Sequence, residues 1–476
     1  MLNTRGRRVT RLFLRACVVG TTCGSLSATA VGTASAAGLP NSNVGPQVSD
    51  SSVNCHGCGD GKTVTVWVEA VTETTSQQTK WEDYVAKQFK ANTGATVKFT
   101  TMSTGTEVLN AIEQGAATNT GPDVLDTANS YNGEAEAAKI YKPITNADWQ
   151  LVGGKSRFAP GVLSYGYTGG NTVDWYLHTD LLAYNTKLFH EAGISGPPTT
   201  WAQYVADGER ITKLGHGIYG VASEPPSPYG PWHDLYTITR DMGGNWVNST
   251  LTKATLDTPI VAKAVEFWFS WYKDGFADPE SLSWTGNQEQ ALFIEGKLGM
   301  ENQVNSSLIT SAQGTPVEKD IAFAPMPTVP VGDKSLPSGA PKYGVPGFNF
   351  AYTLGVPRWA SDPSLGYRFI QVATSEKAEL LLYNLTASLP TTVGAGNVVA
   401  AEYPLIKPFI KYASEAVVAP YYSFWGSVEN AVSVLGATLA RDYQNGTYSD
   451  AAVQTALIKA NSTVQAAMDA TASSKS

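Results

Sequence analysis

The sequence predicts an α/β fold in which helices cover a mostly parallel sheet. Short runs in which apolar and polar residues alternate are separated by longer runs with helical periodicity. Strands that alternate with helices usually pair in parallel, because each crossover helix packs back onto the sheet. The chain has 476 residues, of which 42% are hydrophobic. That is enough for two domains or for one large composite domain.

The first five elements follow one another from Lys62. "TVTVWVEA" alternates as a strand does, and "KWEDYVAKQFKANTG" has the periodicity of an amphipathic helix that Gly94 ends. A second strand ("ATVKFTTM"), a second helix ("TEVLNAIEQGAA") and a third strand ("PDVLDT") follow. The order β-α-β-α-β is the source of the fold-class prediction.

An α-rich region comes next. Thr200 and Gln203 have the spacing of a capping box, and a later helix is predicted from Pro259 to Gly275. A short helix in "NQEQALFIEGK" then precedes a strand in "LGMENQV". The C-terminal part predicts a strand in "FNFAYTLGVP" and three helical stretches that begin near Pro363, Glu402 and Trp425.

The first 36 residues have the features of an export signal. A basic region is followed by a weakly apolar stretch from Ala16 to about Val31 and by a small-x-small cleavage site at Ala34-Ser35-Ala36. The basic residues are Arg5, Arg7, Arg8, Arg11 and Arg15. Cleavage removes these five arginines and no acids, so the net charge falls from −8 to −13. A chain this acidic is not expected to bind nucleic acid.

The export route and any lipid anchor stay open at this stage. Arg7-Arg8 is a twin-arginine pair, but Thr10 and Arg11 follow where apolar residues are expected. Cys17 and Cys23 are candidates for lipid attachment, each in a context that departs from the usual pattern. No apolar run of about 18 residues follows later in the chain, which predicts an exported, extracellular or cell-surface protein without a membrane span.

"NCHGCGDGKTVTVW" resembles four chemical motifs and satisfies none. A phosphate loop needs a glycine where His56 stands, and a c-type haem site needs a histidine where Gly59 stands. A structural zinc site needs four ligands, and a thioredoxin-type pair needs a following helix. Cys55 and Cys58 are therefore predicted to form a local disulfide in an exported chain, with free thiols, adventitious metal binding and redox chemistry as alternatives. Residues 37–61 are predicted to form a flexible leader.

Several segments resemble, in order, the maltose-binding-protein-like extracellular solute-binding proteins of sugar ABC transporters. The longest is "LLAYNTKLFHEAGISGPPTTWAQY", Leu181 to Tyr204. The others are "FKANTGATVKF", "PDVL", "DMGGNW", "ALFIEGKLGM", "APMP", "ASLPT" and "YYSFW". Each fragment alone is weakly specific, but the ordered set spans nearly all of the chain after the signal.

The resemblance implies a type II periplasmic-binding-protein fold, in which two α/β lobes are joined by crossing strands and enclose a ligand cleft. Lobe 1 is then expected over 62–176 plus 350–386, and lobe 2 over 181–346 plus 390–470, with crossings at 177–181, 347–350 and 384–389. It also implies closure of the hinge around a carbohydrate, delivery to the permease subunits of an ABC transporter, and a monomer without cofactor or metal.

A neutral sugar has flat C–H faces and many hydroxyls, so aromatic rings, carboxylates and amides at the cleft are the candidate contacts. The aromatic candidates are Trp425, Phe424, Trp232, Tyr229, Trp284 and Phe348. The polar candidates are Glu69, Asp126 and Asn129 in lobe 1, together with His178, Glu224, Glu301, Asn302 and Asn349. Each has a structural alternative: a buried tryptophan, a solvated acid or a hydrogen-bonded hinge histidine. The family often has a tryptophan a few residues after Met300, where this chain reads "ENQVNSS".

Two other functions are compatible with the sequence. A secreted carbohydrate-active enzyme would need two carboxylates that flank a glycosidic bond, and no motif selects such a pair. A receptor for a polyamine or an anion is the second alternative. Anion binding would favour arginines at helix starts, for which Arg157 and Arg240 are the main candidates.

Overall fold

The structure is a computed structural model of the chain. It describes residues 55–70, 75–102, 105–160, 162–164, 170–227, 231–286, 288–413, 415–418 and 422–473. The predicted signal, most of the predicted leader and the candidate Tyr229 lie outside these residues.

Eight strands and sixteen α-helices are found in the described part of the chain. The strands are β1 (Thr63–Glu69), β2 (Thr96–Met102), β3 (Val124–Ala128), β4 (Thr172–Asn185), β5 (Met300–Val304), β6 (Ile321–Ala324), β7 (Phe348–Gly355) and β8 (Val417–Val418). The helices are α1 (Thr75–Thr93), α2 (Gly105–Thr118), α3 (Asn132–Ala137), α4 (Asn146–Val152), α5 (Thr186–Glu191), α6 (Trp201–Thr212), α7 (Pro231–Asp241), α8 (Pro259–Lys273), α9 (Gln288–Ile294), α10 (Leu308–Ser311), α11 (Pro363–Ala373), α12 (Glu376–Thr386), α13 (Val393–Glu402), α14 (Lys407–Tyr412), α15 (Trp425–Gln444) and α16 (Asp450–Ser473).

The predicted capping box is present, because the Thr200 side chain accepts a hydrogen bond from the Gln203 backbone and the Gln203 side chain reaches back. The helical stretch predicted to begin near Glu402 begins at Pro404, where a 3₁₀ turn over Pro404–Ile406 leads directly into α14. α13 ends at Glu402, since Tyr403 takes an extended conformation (φ −122°, ψ 93°) before Pro404. A residue that precedes proline is disfavoured in a helix.

The strand order is β2-β1-β3-β7-β4-β5, with β6 paired to β4 and β8 paired to β7. The prediction of a mostly parallel sheet is correct for β1, β2 and β3, which pair in parallel. It is wrong beyond them, because β7 pairs antiparallel with both β3 and β4. β4 also pairs antiparallel with β5 and β6.

β4 changes its partners half-way along its length. Thr172 to Asp180 pair with β7, whereas Leu181 to Asn185 pair with β5 and β6. We call the part of the fold built on β1–β3 and the N-terminal half of β4 the first lobe, and the part built on the C-terminal half of β4, β5 and β6 the second lobe. The region around Asp180 and Leu181, where β4 passes between them, is the joint. The residue boundaries predicted for the lobes and crossings stay predictions.

Each lobe has its own apolar core. In the first lobe, side chains of α1, α4 and α11 cover one face of the sheet, and Trp81 of α1 lies 4.9 Å from Trp175 of β4 between ring centroids. Val108 and Ile112 of α2 pack in a smaller cluster with Leu125 of β3. The second lobe has the largest core, which is built by side chains of α6, α7, α8, α15 and α16. A further cluster packs around the joint and includes Leu177, Leu181 and Ala351.

The segment that contains Cys55 and Cys58 lies directly before β1 and is hydrogen-bonded to the end of α1. Cys55 and Cys58 are bonded to each other, with 5.6 Å between their Cα atoms. The backbone N–H groups of Cys55 and Gly59 donate to the carbonyls of Asn92 and Thr93 at the end of α1. The pair therefore lies in a turn held against the first lobe. In the described part of the chain, no helix is both long and apolar enough to cross a membrane.

Gly347, next to β7, is expected to tolerate no side chain. A Cβ atom there would lie 2.0 Å from the carbonyl oxygen of Asp180, a backbone atom that cannot move without disturbing β4. We predict that Gly347→Ala lowers the free energy of unfolding by about 1–3 kcal/mol, as overpacking does elsewhere. Chemical denaturation measures this loss. Gly396→Ala is the control, because a Cβ atom in that α13 position meets nothing within 4 Å. Equal stability of the two variants would contradict the close approach.

Candidate functional site

Polar side chains from both lobes gather near the joint. Glu69 ends β1, Asp126 lies in β3, and Asn129 follows β3 directly. Glu301 and Asn302 lie in β5, whose last residue, Val304, pairs with Leu181 of β4. The sequence predicted all five as candidate contacts, and the strand order now brings their elements to one region of the fold. Their roles in binding stay predictions.

Glu69 and Asp126 are neighbours in the first lobe, joined by a hydrogen bond from the Glu69 backbone to the Asp126 carboxyl. The Glu69 N–H donates to Asp126 Oδ2 (2.9 Å), and the Ala128 N–H donates to Glu69 Oε1 (2.8 Å). Asp126 Oδ1 accepts from Trp175 Nε1 (3.0 Å). Burial raises the pKa of both carboxyls, and the charge of Glu69 raises the pKa of Asp126 further. Ionisation of both carboxyls at the same time is therefore unfavourable at neutral pH.

His178 lies at the joint beside two tyrosines. The rings of Tyr176 and Tyr352 are stacked, with 4.4 Å between centroids and 11° between planes. The His178 ring lies 5.4 Å from Tyr176 and 5.9 Å from Tyr352. Burial lowers the pKa of His178 to about 4, so the imidazole is neutral at physiological pH and can both donate and accept a hydrogen bond.

Four predicted aromatic candidates are buried. Trp425 has no exposed surface, and its ring lies 5.7 Å from Trp232 and 6.3 Å from Trp246. Phe348 is also fully buried and lies 5.5 Å from Trp232. Phe424 is 7% exposed and stacks on Tyr422. These rings form the core beneath the joint. The half-buried rings nearby are those of Trp284, Phe350, Tyr352 and Tyr422.

The second lobe contributes a network of acids and amides. Asn302 accepts a hydrogen bond from Tyr204 Oη (2.8 Å) and donates to Asp234 Oδ1 (3.2 Å). Glu224 Oε1 accepts from the backbone N–H of Glu289 (2.9 Å). Burial, and then the charge of Glu224, raises the pKa of Glu301. Asp234 and Glu289 were not predicted, since neither belongs to a recognisable motif.

Asn349 uses its amide within the joint. Its Oδ1 accepts from Thr179 Oγ1 (2.8 Å), and its Nδ2 donates to the carbonyl of Ala413 (2.6 Å). The arginine candidates for anion binding are similarly occupied. Arg157 donates to the carbonyls of Val152 and Thr374, and Arg240 donates to the carbonyl of Gly244.

A contact between α3 and the start of α15 was not predicted from the sequence. Glu134 of α3 accepts a hydrogen bond from the backbone N–H of Gly426 at the start of α15 (3.3 Å). Burial raises the pKa of Glu134 to about 7 and that of Glu429 to about 8, and the charge of Glu134 adds to the shift of Glu429. A Cβ atom at Gly133 would lie 2.6 Å from the backbone of Tyr422. Residues 292 positions apart meet here, so no local pattern could have revealed the contact.

A groove of about 700 Å³ lies between α15 and α16 and is lined by residues such as Val434, Arg441 and Lys459. None of the candidate residues lines this groove. Among the described residues, no group of three or more His, Cys, Asp or Glu side chains is arranged to hold a metal ion.

Comparison with known proteins places these features in a family context. The family described as "Bacterial extracellular solute-binding protein" matches residues 72–380. The diacetylchitobiose binding protein DasA of Streptomyces coelicolor is 25% identical over 417 residues, which cover 83% of this chain and 88% of DasA. A Brucella abortus (strain 2308) protein, named as a binding protein, is 30% identical over 148 residues. That match covers 31% of this chain and 36% of the Brucella protein, so the chain spans about a third of that relative's length.

The fold also matches solved structures. Maltose-bound MalE3 of T. maritima superposes with a TM-score of 0.68 at 17% identity, covering 85% of this chain and 99% of MalE3. The architecture is therefore the type II periplasmic-binding-protein fold, with two lobes joined by crossing strands.

Trp425→Ala is expected to destabilise the fold. The variant loses a fully buried ring, which typically costs about 3–5 kcal/mol. Trp284→Ala, which removes a half-buried ring, is expected to cost less than half as much. Guanidinium unfolding of both variants measures the difference. Equal losses of unfolding free energy in the two variants would show that burial does not determine how much Trp425 contributes to stability.

The raised pKa of Glu429 predicts a stability that depends on pH. The folded chain keeps a proton on this carboxyl up to about pH 8, whereas the unfolded chain releases it near 4.5. Stability from this group is therefore complete below pH 4.5 and is lost as pH rises to about 8, by at most about 1.4 kcal/mol per pH unit. Glu429→Gln should flatten the decline in melting temperature between pH 5 and pH 8.5. The exposed Asp333→Asn is the control and should leave the decline unchanged. An unaltered profile in Glu429→Gln would contradict the shift.

Proposed function

Because the chain belongs to the bacterial extracellular solute-binding proteins, we propose that it is the extracellular substrate-binding component of an ABC importer. In this proposal its ligand is a carbohydrate, specifically an oligosaccharide, and the two lobes close around it. The protein then delivers the ligand to the membrane permease. The protein acts as an exported monomer and catalyses no reaction.

The observation that carries this proposal is the meeting of acids, amides and half-buried rings from both lobes at the joint. Such side chains pair with sugar hydroxyls and pack on the flat faces of sugar rings. The names of two relatives agree with the proposal, since DasA is a diacetylchitobiose binding protein and MalE3 is maltose-bound. A ligand that touches both lobes stabilises the closed state, because only that state makes both sets of contacts.

We assign roles to the candidate residues on this basis. Glu69, Asp126 and Asn129 of the first lobe accept hydrogen bonds from sugar hydroxyls. Glu224, Glu301 and Asn302 do so from the second lobe, and Trp284 supplies a ring face. His178 contributes a neutral hydrogen-bonding group at the joint. The buried rings of Trp425, Trp232, Phe348 and Phe424 support the site from beneath.

The rival functions have weaker support. A glycosidase needs one acid and one base on opposite sides of a bond, whereas the carboxyls described above lie beside other acids of the same lobe, whose charges raise the pKa values of Asp126 and Glu289. A receptor for anions lacks free arginines at the candidate positions, because Arg157 and Arg240 donate to backbone carbonyls.

Calorimetric titration of the purified protein with neutral oligosaccharides tests the proposal. We expect binding without turnover, with chromatography recovering the sugar unchanged. Trp284→Ala and Glu69→Gln should each weaken binding at least tenfold, while Asp333→Asn should leave it unchanged. Hydrolysis of any bound oligosaccharide would support the enzyme instead, and failure of every sugar to bind would reject carbohydrate as the ligand class.

A further inference from the structure

The two lobes also meet where α3 approaches the start of α15. α3 belongs to the first lobe, where its Ala135 packs in one cluster with Val108 of α2 and Leu125 of β3. α15 belongs to the second lobe, where its Trp425 and Val428 lie in the largest core. A contact between α3 and α15 therefore joins the lobes without a strand that both of them share.

The approach of the two helices is close enough to require glycine at one position. A Cβ atom at Gly133 of α3 would lie 2.6 Å from the carbonyl carbon of Tyr422 and 2.8 Å from the backbone nitrogen of Ser423. The three atoms nearest to this Cβ position all lie in the segment that leads into α15. On the other side, a Cβ atom at Gly426 would lie 3.9 Å from Leu109 Cδ1 of α2. The first turn of α15 is thus in contact with the first lobe.

Glu134 caps α15 from the other lobe. The first N–H groups of a helix have no partner within the helix itself. Phe424, the residue before α15, provides no side-chain cap. Instead, the Gly426 N–H in the first turn donates to Glu134 Oε1 (3.3 Å). Because this donor and this acceptor belong to different lobes, separation of the lobes breaks the hydrogen bond.

Two carboxyls lie at this contact without a positive partner. Glu134 Oε2 is buried and accepts no hydrogen bond from any residue that the structure describes. Glu429 lies one turn along α15 from Gly426. Neither acid takes part in the ion pairs formed among the described residues. Burial raises the pKa of Glu134 to about 7 and that of Glu429 to about 8, and the charge of Glu134 contributes to the shift of Glu429.

Other titratable groups on the elements that pack here have little influence on the two carboxyls. They are Glu107, Glu113, Tyr131, Glu136, Lys139 and Tyr422. The two glutamates of α2 and the lysine after α3 are exposed. Glu136 accepts a hydrogen bond from Asn171 Nδ2 (2.7 Å). The charge that acts on Glu429 is that of Glu134.

We propose, building on the proposed closure around a carbohydrate, that Glu134 is a positioning residue that latches the two lobes together through its cap on α15. The latch forms when the lobes close and breaks when they open. It therefore sets how readily the protein opens when no ligand is bound, and so how much of it is ready to receive one.

Proton uptake on closure follows from the latch. In the open form both carboxyls meet water, and their pKa values return toward the ordinary value of 4.5. In the closed form burial raises these pKa values, so the closed form binds more protons near neutral pH. Closure is therefore favoured most below pH 4.5, and this advantage declines as pH rises to about 8.

Small-angle X-ray scattering of the purified protein without any sugar tests this inference, because opening of the lobes enlarges the radius of gyration. Each scattering curve is fitted as a mixture of open and closed molecules at pH values between 5.5 and 8.5. The ratio of closed to open molecules should fall at least tenfold across this range in the unchanged protein. A ratio that stays constant would overturn the latch.

Variants of Glu134 distinguish a latch from a merely structural role. Glu134→Gln keeps an acceptor for the Gly426 N–H but cannot ionise, so closure should persist and the fold-change with pH should shrink at least threefold. Glu134→Ala removes the acceptor and should lower the ratio of closed to open molecules at least threefold at pH 5.5. Glu113→Gln, at an exposed acid of α2, is the matched control and should behave as the unchanged protein. The inference fails if Glu134→Ala closes as readily as the control.

Gly133→Ala tests the close approach of the lobes independently of any charge. The added methyl group would meet backbone atoms that lead into α15, so it should hold the lobes apart and lower the ratio at every pH. Gly396→Ala is the control, because its methyl group meets nothing within 4 Å. Urea unfolding of each variant separates loss of closure from loss of folding. Undiminished closure in Gly133→Ala would overturn the inference.

The sugar titrations decide the proposed function separately. If no sugar binds while scattering follows pH as expected, carbohydrate is rejected as the ligand class and the latch is kept. If a sugar binds while scattering responds neither to pH nor to the Glu134 variants, carbohydrate binding is kept and the latch is rejected.

Discussion

The continuity of β4 through the joint is the constraint on which the rest of the structure depends. One strand of 14 residues makes ladder hydrogen bonds to β7 in its first part and to β5 and β6 in its second. Because β5 and β7 are both hydrogen-bonded to this one strand, each is attached to it close to the joint. Glu301 on one and Tyr352 on the other are held near the same short stretch of chain.

Large apolar cores hold the polar groups in place. Like charges that are buried together cost free energy, which the surrounding packing must offset. The second lobe supplies this packing through rings such as Trp201, Trp246 and Trp425, all with almost no exposed surface. Backbone N–H groups at Ala128 and Glu289 supply directed hydrogen bonds from fixed positions. The acids are therefore preorganised, and a ligand does not have to order them on binding.

Local structure could be predicted from the sequence, and tertiary proximity could not. The strands β1, β2, β3, β5 and β7, the capping box at Thr200 and the start of α15 at Trp425 all follow from periodicity and end signals within a few residues. The helical stretch expected near Glu402 begins at Pro404, because the residue before a proline is disfavoured in a helix and Tyr403 is extended. Whether Trp425 is buried, and whether Glu134 meets Gly426, depends on elements far apart in sequence. Such contacts carry no local signal.

The two lobes present different chemistry to the joint. In the first lobe, Glu69 and Asp126 already accept hydrogen bonds from Ala128, Glu69 and Trp175, so their charge is partly satisfied by the protein itself. In the second lobe, Glu301 Oε2 has no such donor among the described residues. A sugar hydroxyl brings a hydrogen bond without charge, so it can complete either set. Because burial raises the pKa of Glu301 to about 8, this carboxyl is uncharged at neutral pH and the second set needs no positive partner.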